Sequence, residues 1–250
     1  MSEQPTAQSA PSDGIRISTN AVKPIVTYVL LGVTVLVFIA QLIIEKLTGY
    51  DLLFYFFGKI RELILVGQIW RLVTPVFLHS SLWHIGFNMY ALYVLGTRLE
   101  GIYGHWRFLA LYLLAGFGGN VLSFVLTPAP SLGSSTAIFG LLAAEVVFIV
   151  QNKQFFGERT RSMLMNLGMI LIVNLVIGLN PSMNIDNFGH VGGLLAGVIF
   201  SSLAGPKWKL VRAEADLRLM DTREKREIWI AVAIVLVGFS LIAAVPFLRQ

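Results

Sequence analysis

Seven stretches of the chain are almost wholly apolar over close to twenty residues, and short polar or charged segments separate them. A helix needs ~20 apolar residues to cross the hydrocarbon core of a bilayer. The pattern therefore predicts membrane spans at about 24–44, 82–99, 107–126, 135–151, 163–180, 188–204 and 228–247. The fold class expected is all-α, a polytopic transmembrane helix bundle. Residues 45–80, between the first two spans, are too rich in aromatic and apolar residues for a bare linker, as in F-Y-F-F-G at 54–58. Short helices lying in the membrane interface are expected there. Residues 1–22 are polar and lack the basic start of a signal peptide, so a short disordered tail is expected. The organisation predicted is a tail at 1–22, a six-helix core at 23–204, a charged linker at 205–227 and a seventh helix at 228–250.

Composition agrees with this reading. The 250 residues are 56% hydrophobic and 13% charged, with a mean hydropathy of +0.73. A soluble core of this size needs far less apolar material. No cysteine is present, which excludes disulfides, thiolate metal sites and a cysteine nucleophile. The net charge of +5 could suggest nucleic acid. Its distribution points to membrane topology instead. With the N-terminus placed in the cytoplasm, fourteen of the nineteen Lys and Arg residues fall in inner segments and five in outer ones. The second, fourth and sixth spans then run from outside to inside, and their N-terminal ends face out.

Ionisable residues inside a membrane are expensive and mark function. Of the four histidines, His105 falls in an inner loop and reads as a surface residue, while His79, His84 and His190 fall at outer ends of spans. His84 and Asn88 are spaced i, i+4, on one helix face at the start of the second span. Ser135 opens the fourth span within L-G-S-S-T-A-I-F, and His190 opens the sixth. A lone serine or histidine in such a helix is usually structural. Three helices that deliver polar side chains at one depth argue for a shared site. The fourth span has 17 residues, or ~25 Å of helix, against a hydrocarbon core of ~30 Å. If it reaches the inner surface, it starts below the outer one. The uncharged loop before it must then dip inward, which is tolerated only against protein or a wet cavity. Gly189, Gly193 and Gly197 on the sixth span, with Gly140 and Ala144 on the fourth, are spaced for close helix approach.

These residues form an ordered set: W-R-L-V-T-P-V-F-L-H at 70–79, H-x-x-x-N at 84–88, G-x-S-x-A-I-F-G at 133–140 and H-x-x-G-x-x-x-G at 190–197. Q-I-W-R at 68–71, G-T-R-L-E at 96–100 and I-D-N at 185–187 accompany them. The set resembles the rhomboid intramembrane serine proteases over about 24–204. The resemblance implies Ser135 as nucleophile, His190 as general base, and His84 and Asn88 as oxyanion-binding side chains. It implies a tight turn at Gly133 and packing of Phe139 on the catalytic imidazole. Trp70, Arg71 and His79 match positions with structural roles, and the last span matches the extra helix some members carry. The implied catalytic unit is a Ser-His dyad without cofactor or metal. Its implied partners are the lipid bilayer and single-span membrane protein substrates, with lateral access past the fifth span. No nucleic acid is expected and the oligomeric state is left open. A bacterial cytoplasmic membrane is the expected location, with the site near the outer face.

The residues give a parallel account. A serine hydroxyl needs a base, and a helix N-terminus disfavours imidazolium at His190 while offering free N–H groups to an oxyanion beside Ser135. Asp186, four residues before His190, could orient it as in the familiar triad. The favoured role of Asp186 or Asn187 is to cap the sixth span. Ser134 would point away from Ser135 by ~100° on a helix.

One position departs from the family. The usual motif is G-x-S-G, and Thr136 occupies the second glycine's place. The residue before the histidine, usually alanine, is Gly189, and we expect it to make room for Thr136. The departure keeps open a catalytically inactive rhomboid-like protein that binds membrane helices. A transporter is disfavoured, because no internal repeat or mid-membrane acidic pair is visible. Glu145 falls near the inner end of its span, where snorkelling or a local partner suffices.

Overall fold

The computed structural model describes residues 17–18, 22–180, 183–213 and 216–249. Apart from 17–18 and 22, the predicted tail at 1–22 lies outside the described residues. Seven long helices occupy the predicted spans: α1 (Ile25–Thr48), α4 (Leu82–Tyr103), α5 (His105–Leu126), α6 (Ser135–Gln151), α7 (Arg159–Ile177), α8 (Asn187–Ala204) and α9 (Lys225–Ala244). All except α4 and α6 are by themselves long and apolar enough to cross a membrane. Residues 45–80 fold as α2 (Leu52–Phe57), α3 (Arg61–Leu65) and two 3-10 turns, the short helices expected there.

Helix ends follow local chemistry. α1 stops at Gly49, whose φ of 78° lets its N–H reach the Glu45 carbonyl. Ser81 caps α4 by accepting from His84 N at 3.1 Å. Asp186 caps α8, accepting from Gly189 N at 2.8 Å. Glu224 and Glu227 form a reciprocal capping box on α9.

The core is the packing of α5, α6 and α8, with α9 against α5 and α8 and α1 against α4. Glycine makes the central contacts possible. A Cβ at Gly197 would lie 2.5 Å from the Gly140 carbonyl, and one at Gly192 would lie 2.5 Å from the Gly118 carbonyl. One at Gly193 would fall on the Thr136 carbonyl. Such backbone-to-backbone approach suits a membrane bundle, where lipid tails are as apolar as leucine and packing must do the work.

The charged linker has structure that its sequence did not suggest. Trp208–Ala213 (β2) and Asp216–Asp221 (β3) form an antiparallel hairpin, and Ile17–Ser18 (β1) joins β3 in parallel to give the order β1-β3-β2. The hairpin is pinned to the bundle where the Trp208 ring meets Phe148 edge-on at 4.8 Å and Asn152 accepts from Trp208 N at 2.7 Å. Arg107 pairs with Asp221 at 2.7 Å. Six long helices separate β1 from the hairpin. An even number of crossings returns the chain to the same end of the bundle, so the pairing and the span count agree.

Candidate active site

The site is assembled by segments that the residues 45–80 hold in place. Lys59 and Ser131 exchange both backbone hydrogen bonds at 3.0 Å. Gly133 N donates to the Pro75 carbonyl at 2.9 Å. Lys59 is fully buried, and its ammonium donates to the Ala129 and Thr127 carbonyls at 2.5 and 3.4 Å. Arg61 donates to the Phe124 carbonyl at 2.6 Å. Two cations thus satisfy carbonyls at the C-terminal end of α5 and just beyond it, where the helix dipole favours positive charge. Burial pulls the Lys59 ammonium below its ordinary range, and the charge of Asp186 opposes that pull. Arg71 is buried as well, donating to the Tyr55, Gly58 and Gln68 oxygens. Its neighbour Trp70 is exposed and donates from Nε1 to the Phe56 carbonyl at 3.1 Å.

This scaffold fixes the turn into α6. Gly133 has φ of 123°, a left-handed value that favours glycine. A side chain there would also collide, because its Cβ would lie 2.7 Å from His84 Nε2 and 3.7 Å from Ser135 Oγ. The gap beside Gly133 is therefore bounded by the imidazole of His84 and the hydroxyl of Ser135. Ser135 Oγ lies 2.9 Å from His190 Nε2, although the two residues are 55 apart in sequence. The Phe139 ring stacks on the His190 imidazole with centroids 4.1 Å apart and planes within 9°. Asn88 is buried, and its amide donates to the His84 carbonyl one turn back. All six residues expected at the site lie at the N-terminal ends of α4, α6 and α8 or in the turn before α6.

No carboxylate bonds the far side of His190. Among the described residues its Nδ1 has no hydrogen-bond partner. Asp186 spends one oxygen on its helix cap and the other on the Ser123 hydroxyl. The capping role favoured for Asp186 is thus the observed one. Among the described residues no group of three or more His, Asp or Glu side chains could hold a metal. The arrangement sets a stacked imidazole within hydrogen-bond distance of a serine hydroxyl, the geometry a general base needs.

Two other polar residues that the sequence singled out have local partners. Glu145 pairs with Arg98 at 2.8 Å, as expected for a helix-end carboxylate. His105 is more than a surface residue, since its Nδ1 meets Glu100 at 2.5 Å. Glu100 also accepts from Val26 N and Thr27 N, which fastens α4 to the start of α1. Around Thr136 the helices are tight. An alanine Cβ at position 189 would lie 3.0 Å from Thr136 Cγ2. A Cβ at Gly119 would lie 2.6 Å from Thr136 Cβ, so a second glycine, unnoticed in the sequence, also faces the threonine. Lys59, Ser123 and Gly119 were missed because their contacts are with backbone or with residues distant in sequence.

Comparison with known proteins gives the family of the chain. The family model for the Rhomboid domain matches residues 66–207, more than half of the chain and all of the elements that carry the site. The chain belongs to the rhomboid family. It is 40% identical over 183 residues to Rhomboid protease GluP of Bacillus subtilis (strain 168), covering 73% of this chain and 35% of that protein. It is 40% identical over 135 residues to Rhomboid-like protease 3 of Toxoplasma gondii, covering 52% of this chain and 50% of that one. RHOMBOID-like protein 1 of Arabidopsis thaliana is 37% identical over 133 residues, 53% of this chain and 33% of that one. The chain thus spans a third to a half of the length of these relatives. Rhomboid membership and the apolar helices make this an integral membrane protein.

Proposed function

We propose that this rhomboid-family chain is an intramembrane serine endopeptidase. The observation that carries the reading is the 2.9 Å approach of Ser135 Oγ to His190 Nε2 between two helices locked by glycine contacts. Protease-named relatives support it. In this reading the Ser135 hydroxyl attacks the carbonyl carbon of the scissile peptide bond and its proton passes to His190 Nε2. The oxyanion is received by free N–H groups at the start of α6, with His84 and Asn88 as side-chain donors. Collapse of the tetrahedral intermediate expels the amine, which takes the proton back from His190. Water then hydrolyses the acyl-enzyme by the same path in reverse roles.

Two carboxylate duties of the familiar triad are distributed differently. Ring orientation comes from the Phe139 face. The Asp186 charge stays near His190 while its oxygens are bonded elsewhere. The substrates are transmembrane or juxtamembrane segments of single-span membrane proteins. A helical peptide bond hides its carbonyl in its own ladder, so the substrate unwinds locally before attack and small or helix-breaking residues favour cleavage. The excess of Lys and Arg in alternate loops supports a cytoplasmic N-terminus and a site near the outer face.

A second reading, an inactive protein that binds membrane helices, draws on one observation. Thr136 stands where the family has glycine, and its buried hydroxyl has no partner among the described residues. Reconstitution separates the two. The native protein in liposomes with a single-span reporter should cut it, and Ser135→Ala and His190→Ala should each slow the cut by at least ~10³-fold. Retention of the reporter uncut on the native protein would establish the inactive binder. Cleavage that persists in Ser135→Ala would refute the assigned nucleophile.

A further inference from the structure

Helix α1 is the least committed part of the core on its sequence, an apolar rod against α4. One residue breaks that character. Gln41 lies in V-F-I-A-Q-L-I-I and is only 2% exposed. A primary amide buried in hydrocarbon is costly unless both of its ends are bonded. Gln41 bonds both. Its Nε2 donates to Asp51 Oδ2 at 2.8 Å, and its Oε1 accepts from His79 N at 3.0 Å.

Each bond leads somewhere. The second oxygen of Asp51 caps α2, accepting from Phe54 N at 2.9 Å. That leg fastens α1 to the interfacial segment. The other leg runs toward the site. His79 is buried, and its Nε2 lies 3.2 Å from Ser134 Oγ and 3.5 Å from Ser134 N. Ser134 directly precedes Ser135. It occupies the cap position of α6 without bonding that helix through its side chain, its hydroxyl being turned to His79. The His79 ring also lies against the His84 ring, with centroids 4.9 Å apart, and His84 Nε2 walls the gap at Gly133. A shift of the His79 backbone therefore moves both the residue before Ser135 and one wall of the gap.

We infer that Gln41 is a positioning residue for the reaction at Ser135. It acts through His79 and Ser134, and touches neither substrate nor the reacting atoms. The inference rests on the dyad reading. It assigns α1 a part in reactivity, although α1 lies outside the residues matched by the family model. Gln41→Leu removes both legs while keeping a side chain that suits the membrane. Gln41→Glu keeps the acceptor for His79 N but sets a carboxylate against Asp51. Adding Asp51→Asn restores a donor there, and asparagine still caps α2.

The test is the rate at which a fluorophosphonate probe labels Ser135 in the purified full chain, with the folded fraction measured beside it. Gln41→Leu should label about tenfold more slowly per folded molecule, the scale of a small misplacement of a reacting group. Combining Gln41→Leu with Ser134→Ala should add little to the slower single change, because both act through one path. Gln41→Glu with Asp51→Asn should label at close to the native rate per folded molecule and regain the stability that Gln41→Glu alone loses. If Gln41→Leu is too unstable to purify, Gln41→Glu alone should lose stability yet keep its reactivity per folded molecule. Native-rate labelling of Gln41→Leu would overturn the inference, as would effects that multiply with Ser134→Ala. Loss that tracks only the unfolded fraction would also overturn it. A native protein that never labels at Ser135 would sink the dyad reading and this one with it.

Discussion

Helices α7 and α8 are neighbours of nearly equal length, nineteen and eighteen residues, and are held in opposite ways. Half of α8 is buried, and its glycines press backbone against backbone of α5 and α6. None of α7 is buried, and it packs chiefly on α6. Its outer surface shows Met165, Met169, Ile172 and Val176, each more than half exposed. Lipid tails solvate such side chains as well as protein does, so little drives α7 inward. One polar contact ties its end to the site region, where the Asn187 amide donates to the Leu175 carbonyl at 3.1 Å. Gly178 leaves the room that this clasp needs, since a Cβ there would strike Asn187 Oδ1. The difference teaches which distances are guarded. Ser135 and His190 ride on two helices that cannot separate without breaking backbone contacts. Among the described residues no glycine of α7 makes such a backbone contact.

The contrast is broken most severely at Gly193. Gly193→Leu puts a side chain where the Thr136 carbonyl sits, and α6 and α8 must part. We expect a loss of ~3 kcal/mol or more in stability and no labelling of Ser135, read by thermal unfolding in detergent and by the probe. A change of comparable size on α7, Met169→Ala, should move stability by less than ~0.5 kcal/mol.

A smaller effect is expected at Gly189. Gly189→Ala brings a Cβ to 3.0 Å from Thr136 Cγ2 and 2.9 Å from Asp186 Oδ2, the oxygen that accepts from Ser123. The expected cost is ~1–2 kcal/mol with slower labelling, and Thr136→Gly in the same chain should restore most of both. If Gly189→Ala alone changes neither stability nor labelling, the fit between these two positions is not compensation. The smallest effect sharpens the contrast from the other side. Asn187→Ala should cost ~1 kcal/mol or less overall, yet hydrogen exchange should rise at the end of α7 near Leu175 while α8 stays protected. Equal loss of protection in both helices would mean that they open as one unit.

Much of this molecule could be read from its sequence, and particular residues show why. The spans were legible because hydrocarbon demands long apolar runs, and α6 was bounded at 135–151 from its pattern. Ser135, His84 and His190 stood out because polar groups at membrane depth are rare and these three share one level. The β-hairpin was not legible. Its alternation in W-K-L-V-R-A and D-L-R-L-M-D is short and charge-dense, and its third strand lies some two hundred residues away. Lys59 counted in the sequence only as one of the five outer-segment cations, because its partners are carbonyls and leave no trace in side-chain pattern. Gln41 was passed over as one polar residue in a long apolar run, and only its contacts reveal two legs. For Thr136 the sequence pointed to Gly189, and the structure adds Gly119, whose Cβ would strike both Thr136 and the Gly189 carbonyl.

The most direct test of the account is to treat the native protein with a fluorophosphonate probe and identify the labelled residue by mass spectrometry, beside His190→Ala. The account predicts label on Ser135 in the native protein and none in His190→Ala, with both shown folded. Label on Ser134, label that survives His190→Ala, or a folded native protein that takes none would contradict it.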